Sequence, residues 1–248
     1  MDAQEVADGV HVSTSGGLVN WVLVVADDGL LALDAGLRTA WEDLVRLCAR
    51  LGRDPRELRA VLLTHGHVDH TGFARRAQER LGAPVHVHPA DVRVLEHPLV
   101  GSWPERSPLL YLGNASARRA ADALRRGGGL RTPVPQDTVA LVPGETLPLP
   151  GAPVVLATSG HTAGHCSFHL PAHGVVVAGD AIVTEDPYTG RTGPRLIARA
   201  SMRSSADARA SLEVLERVDA DVLVAGHGPV WTGGVAEAAR RARDAVQG

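Results

Sequence analysis

The sequence predicts an α+β protein built as two β-sheets packed face to face with helices outside. Short apolar runs of strand length cluster in each half of the chain. Each cluster is followed by stretches with apolar residues at helical spacing. Glycines and polar residues come directly after several of the runs, where the strands of a sandwich would end at one rim. A length of 248 residues, against about 150 per domain, fits one domain over 1–248 made of two similar halves. That is enough chain to bury a sizeable core.

The elements follow in order. Residues 19–25 and 30–33 are apolar runs separated by Ala26-Asp27-Asp28-Gly29, which reads as a hairpin with an Asp-Gly turn. Residues 41–51 carry Trp41, Leu44, Val45, Leu47, Cys48 and Leu51 at helical spacing, with Gly52 as the stop. Residues 60–63 form a buried strand and 73–81 a helix closed by Gly82. A strand over 84–88 and a short helix over 90–96 come next. The segment 97–150 is rich in Pro and Gly, with a helix at 115–126 and the run Gly127-Gly128-Gly129. It reads as a lid or insert over a binding site, in which Trp103 and Tyr111 either line an apolar pocket or form a small local core. Strands at 154–157, 167–170 and 175–178 follow, then a helix at 205–218, a strand at 222–225 and a final helix at 234–246.

Composition excludes several functions. No apolar stretch approaches the roughly 18 residues of a membrane span. A formal net charge of −3 gives no footprint for nucleic acid or an anionic membrane. All 25 basic residues are Arg, which removes every lysine-based chemistry. Two cysteines, Cys48 and Cys166, make neither a disulfide framework nor a cysteine zinc site, and both read as buried. The N-terminus lacks a basic, then apolar, leader pattern, so a cytoplasmic location is expected. The expected partner is a small-molecule substrate, with the oligomeric state left open, a homodimer included.

The sharpest feature is Thr64-His65-Gly66-His67-Val68-Asp69-His70-Thr71-Gly72, directly after an apolar run. His65, His67, Asp69 and His70 place four metal-ligand types within six positions. Neutral imidazole with a hard carboxylate oxygen suits Zn, Fe or Mn. Gly66 is expected to bend the backbone so that these side chains converge. His161, Asp180 and His227 repeat the theme of apolar strand, glycine, ligand.

Together these residues resemble the metallo-β-lactamase superfamily, whose His-x-His-x-Asp-His signature is matched by His65, His67, Asp69 and His70. The later single ligands of that family match His161, Asp180 and His227, in the right order along nearly the whole chain. The resemblance implies a four-layer αββα sandwich with a dinuclear site at its edge. It implies that His65, His67 and His161 hold one divalent ion, that Asp69, His70 and His227 hold the other, and that Asp180 bridges them. Zinc is the expected ion at both. Two cations about 3.5–4 Å apart can share a water and lower its pKa, so that hydroxide attacks at neutral pH without a Ser or Cys nucleophile. Asp69 and Asp180 are thus the carboxylates expected to matter for catalysis.

Around this set, Asp34 resembles the family's early Asp, which steadies the metal loop by hydrogen bonding, or is an ordinary turn residue. Thr64 and His165 are expected to support ligands from behind rather than bind metal. His86 and His88 share a strand face, and structural roles are favoured for both. Tyr188, Arg191 and Arg195 either orient a substrate carboxylate or oxyanion, or lie on a solvated loop.

Within the superfamily, the chain is closest in kind to a glyoxalase II-like hydrolase acting on a small thioester, lactone or ester. Exported β-lactamases usually lack the bridging Asp, and only 21 residues follow His227, too few for glyoxalase II's glutathione-binding helices. Acyl-homoserine lactonases have a Tyr where this chain has Val183. The rival class is a persulfide dioxygenase-like oxidoreductase with a single iron on the counterparts of His65, His161 and Asp180.

Overall fold

Burial on both faces explains why the apolar runs become strands. The structure is a computed structural model that describes residues 3–97 and 103–247. In β1 (Gln4–Ala7), β2 (Val10–Ser15), β3 (Val19–Ala26) and β4 (Gly29–Leu33), neighbouring strands pair antiparallel. Along β3 and β4, Val22, Val24, Leu31 and Leu33 point one way and Trp21, Leu23, Leu30 and Ala32 the other. The second set packs on α1 (Ala40–Arg50) and α2 (Ala74–Leu81). The sheet continues in parallel through β5 (Leu58–Leu62), β6 (Val85–Val87) and β7 (Val139–Ala140), with α3 (Val92–Glu96) following β6.

The second sheet comprises β8 (Val154–Ala157), β9 (Cys166–Leu170), β10 (Val175–Gly179) and β13 (Val222–Ala225), in the order β13-β10-β9-β8. Val155, Phe168, Leu170, Val175, Val177 and Val224 meet the inward residues of the first sheet. Val176, Ala178, Leu223 and Ala225 face outward onto α5 (Ser205–Glu216) and α6 (Val235–Asp244). The layers therefore run helix, sheet, sheet, helix, as the sequence predicts. A small hairpin, β11 (Val183–Glu185) with β12 (Thr192–Arg195), stands apart from both sheets.

Besides the unpredicted strands β7, β11 and β12, three details differ from the sequence reading. The N-terminal strands β1 and β2 went unread, although Val10 and Val12 alternate with His11 and Ser13 just after Asp8-Gly9, and both valines point into the inter-sheet core. The first hairpin turns one residue early. Ala26 pairs with Gly29, so Asp27 and Asp28 form the turn, and Gly29 takes φ +143° where a side chain would strike the Glu57 carbonyl. Within 97–150, residues 98–102 lie outside the described residues, and α4 (Ala115–Arg126) forms where expected. Tyr111 joins a small local core with Ala117, Ala198 and Ala200, while Trp103 is 75% exposed.

Phe168 is fully buried between the sheets. Phe168→Ala is expected to lower stability by about 3–5 kcal/mol, read as a fall in the midpoint of urea unfolding.

Candidate metal centre

Strand direction brings the polar loops together. β4 and β5 are parallel, as are β10 and β13, and β8 runs with β10 because β9 opposes both. Their C-terminal ends meet at one rim, and each is followed by a polar residue of the sequence pattern: Asp34 after β4, residues 64–70 after β5, His161 after β8, Asp180 after β10 and His227 after β13.

Two clusters result. In the first, His161 Nε2 lies 3.1 Å from His65 Nε2 and 2.8 Å from His67 Nδ1, and the latter two are 3.1 Å apart. Three nitrogens converging on one point at nearly the spacing of tetrahedral zinc ligands, about 3.3 Å, make a ready nitrogen face for a cation. In the second, His227 Nε2 lies 3.5 Å and His70 Nε2 4.0 Å from Asp69 Oδ2. Asp180 stands between them. Its Oδ2 is 3.4 Å from both His161 Nε2 and His227 Nε2, and its Oδ1 is 3.5 Å from His70 Nε2. Each of the seven residues of the sequence pattern thus offers a donor atom at this rim.

The residues fit divalent cations. His70 Nε2 and Asp180 Oδ1 are buried without a hydrogen-bond partner, an expense that a cation between them would remove. Burial and neighbouring imidazoles push His65 well below its usual range. Burial also lowers His67 and His161, outweighing the nearby carboxylates, so the first cluster presents neutral nitrogens. At His70, burial pulls down but Asp34, Asp180 and Asp69 prevail and raise it to about 10. Burial would raise Asp180, but His227, His70 and His161 hold it well below the carboxylate range. The second cluster is therefore a field that seeks positive charge.

Hydrogen bonds at the back of the donors set their aim. Asp34 accepts from the Thr64 backbone N–H at 2.8 Å, from the Thr64 hydroxyl, and from His70 Nδ1 at 2.8 Å. Since the Thr64 hydroxyl donates to Asp34, it accepts from His65 Nδ1 at 3.0 Å. His227 Nδ1 donates to the Leu18 carbonyl at 2.8 Å. In each case the outward nitrogen is occupied and Nε2 faces the centre, where a cation would take the place of any proton it holds. Asp34 does this at φ +59°, a strained region that Asp tolerates better than most residues. It is no ordinary turn residue.

His165 stands behind Asp180. Its Nε2 accepts the Asp180 backbone N–H at 3.0 Å, and its Nδ1 contacts Thr158 Oγ1 at 2.9 Å. Ser167 donates to the Ala178 carbonyl, so Thr158 must donate to Ser167 and accept from His165. The chain of donors fixes one tautomer for the ring.

Two residues that the sequence reading passed over brace the rim. Asp91, fully buried, accepts from Gly66 N at 2.9 Å, Thr162 Oγ1 at 2.7 Å and Gly164 N at 2.7 Å. It ties the loop bearing His65 to the loop bearing His161. Asn20 donates from Nδ2 to the carbonyls of Ala225 (2.9 Å) and Gly228 (2.7 Å), on either side of His227. An Asp shortly after the strand-face pair His86 and His88 had no spacing signal of its own. Gly66 acts differently from the expectation, while Gly226 permits the close approach expected of a glycine beside a ligand. Gly66 keeps a φ open to any residue but has the Leu95 N–H and Asp91 carbonyl against its missing side chain, at 2.7 and 2.9 Å. At Gly226 a Cβ would lie 2.1 Å from Asp180 Oδ1. Close approach, not bending, selects both.

A cavity of about 320 Å³ opens on this rim, with His67, Asp69, Asp180 and His227 at one end and Tyr188 in its wall. Arg191 and Arg195 do not line it. Arg191 reaches the Val246 carbonyl, and Arg195 bonds the carbonyls of Gly193 and Thr192 in its own hairpin. His88 caps its own turn by accepting from Ala90 N–H, and His86 is half-buried on β6. Cys48 and Cys166 are buried, with thiols raised by burial to about 11 and about 12.

The chain belongs to the metallo-beta-lactamase superfamily, whose sequence profile matches residues 14–227. It is similar to a crystal structure of a metallo-beta-lactamase family protein from Thermus thermophilus, with 27% identity, a TM-score of 0.71, and coverage of 97% of this chain and 80% of that one. It is 24% identical over 213 residues to the probable metallo-hydrolase YflN of Bacillus subtilis (strain 168), spanning 81% of this chain and 76% of that protein. An uncharacterized protein of Mycobacterium tuberculosis (strain ATCC 25618 / H37Rv) is 45% identical over 51 residues, 21% of this chain. The match spans only 23% of the length of that mycobacterial relative. As in the wider superfamily, the His and Asp clusters mark the chain as metal-binding.

Asp91→Ala would strand three buried donors and is expected to cost about 2–4 kcal/mol, measured by urea unfolding; an unchanged midpoint would remove its bracing role. Both thiols of the folded protein are expected to resist a thiol reagent at pH 8 and to react fully after unfolding, counted by absorbance.

Proposed function

We propose that this protein is a dinuclear metal-dependent hydrolase that cleaves a thioester, lactone or ester bond in a small molecule. The observation that carries the reading is Asp180, whose two oxygens lie 3.4–3.5 Å from His161, His227 and His70, donors of both clusters. His65, His67 and His161 would hold one ion; Asp69, His70 and His227 would hold the other; Asp180 would touch both. Zinc suits this nitrogen and oxygen set. Bound there, two divalent cations would lower the pKa of a shared water and polarise the acyl carbonyl.

The chain's own residues supply the rest. Asp69 lines the cavity with its carboxylate partly exposed, placed to accept a proton from the attacking water. Burial raises the Tyr188 phenol to about 12, so it stays protonated in the cavity wall and can donate to the carbonyl oxygen. The water oxygen joins the acyl carbon, the bond to sulfur or oxygen breaks, and the leaving group takes up a proton. Buried Cys48 and Cys166 lie away from the cavity lining and take no part. A single-iron dioxygenase on His65, His161 and Asp180 would leave Asp69, His70 and His227 without a task.

Elemental analysis of protein purified without added metal tests this reading. About two zinc ions per chain are expected, and close to one iron would favour the dioxygenase instead. In Asp180→Ala, metal content and hydrolysis are expected to fall together while far-UV circular dichroism is unchanged. Full activity in that variant would sink the bridging role.

A further inference from the structure

We infer that the substrate of this site carries an uncharged, apolar acyl chain, and that the chain lies in the cavity beneath α4, passing Ala121 on the exposed edge of that helix. The inference rests on the hydrolase reading above and names the substrate class for it. The charged groups of the cavity lining are all at the metal end, where buried Asp180 presents Oδ1 without a hydrogen-bond partner. Away from that end the wall is apolar except for Ser201 and the Tyr188 phenol, which bond each other. Ala117, Ala120 and Ala121 come from one face of α4, at positions i, i+3 and i+4, and Leu124 follows a turn later. Ile197 and Leu18 flank them. Small side chains on the helix leave the volume open, and no guanidinium enters it to meet a charged chain.

The apolar surface continues outside. Leu112 lines the cavity mouth at 48% exposure, and Leu109 and Leu110 beside it are each 73% exposed. Singly, such residues need no explanation; grouped at the mouth of an apolar cavity, they extend its wall. The adjoining face of α4 is different. A second cavity there, of about 400 Å³, is lined by Arg119, Ser116, Thr14 and Glu185, and shares Leu18, Ala120, Pro187 and His227 with the first. A polar leaving group therefore has its own exit. Tyr188, whose phenol bonds Ser201, lines the apolar cavity rather than the polar one.

The test uses acetyl, butyryl, hexanoyl and octanoyl thioesters of one small polar thiol with the metal-loaded enzyme. In parallel, acetate, butyrate, hexanoate and octanoate are titrated by calorimetry. Both kcat/KM and carboxylate affinity are expected to climb about three- to fourfold per methylene until the cavity is full. Ala121→Phe should flatten both series, lowering the octanoyl-to-acetyl ratio at least tenfold, with Ala121→Val intermediate and circular dichroism checking the fold of each. Hydrolysis without a climb overturns the inference and leaves the hydrolase reading standing, as does a preference that follows the length of the thiol instead. A climb in carboxylate binding without hydrolysis supports the inference and removes the hydrolase reading. No climb and no hydrolysis sinks both, and a climb untouched by Ala121→Phe puts the chain elsewhere.

Discussion

Nitrogen lone pairs and carboxylate oxygens gathered at one rim have to be aimed inward by hydrogen bonds made outward. His65 is aimed by Thr64, His70 by Asp34 and His227 by the Leu18 carbonyl. Asp180 is held through its backbone by His165. Each contact occupies an outward ring nitrogen or a backbone N–H and leaves the inward atom to face the centre. Outer partners of this kind typically change metal affinity or activity by about 10–100-fold. Asp34 serves two donors at once and accepts a left-handed backbone to do so.

The sandwich exists to present that rim. Its inter-sheet core is almost wholly aliphatic, with Phe168 as its one large aromatic among the described residues. The polar residues collect at the strand ends, where loops from both sheets meet and the backbone can leave the ladder. Such a junction would splay without cross-ties. Asp91 supplies one between residues 65–70 and 161–165, and Asn20 supplies another between β3 and the His227 loop. The energetic cost of burying Asp91 and Asn20 is offset by the hydrogen bonds each makes.

Much of this was legible in the sequence. Buried strands read as continuous apolar runs because both faces are covered, and the metal-ligand types stand out by their packing into residues 65–70. His161, Asp180 and His227 stood out just beyond apolar runs and glycines, and the family resemblance named them as ligands. Other features had no local signature. Asp91 and Asn20 act across 71–73 and 205–208 positions, which no spacing rule connects. Arg191 and Arg195 carry suitable chemistry near Asp180 in sequence, but a hairpin turns them onto backbone carbonyls. Tyr188, from the same stretch, does reach the cavity. Which side of a loop a residue faces is set by tertiary packing, and three neighbours of similar promise separated on that ground.

The bond from His227 to the Leu18 carbonyl joins residues 209 positions apart. A chain leaving the ribosome has made residues 65–70 long before His227 appears, and the second cluster stays incomplete until His227 has emerged. Any ion caught earlier meets only part of its shell. Tight loading would thereby be deferred until both segments are in place, and an ion bound there would oppose global unfolding more than local fraying, because releasing it fully requires segments 209 positions apart to separate.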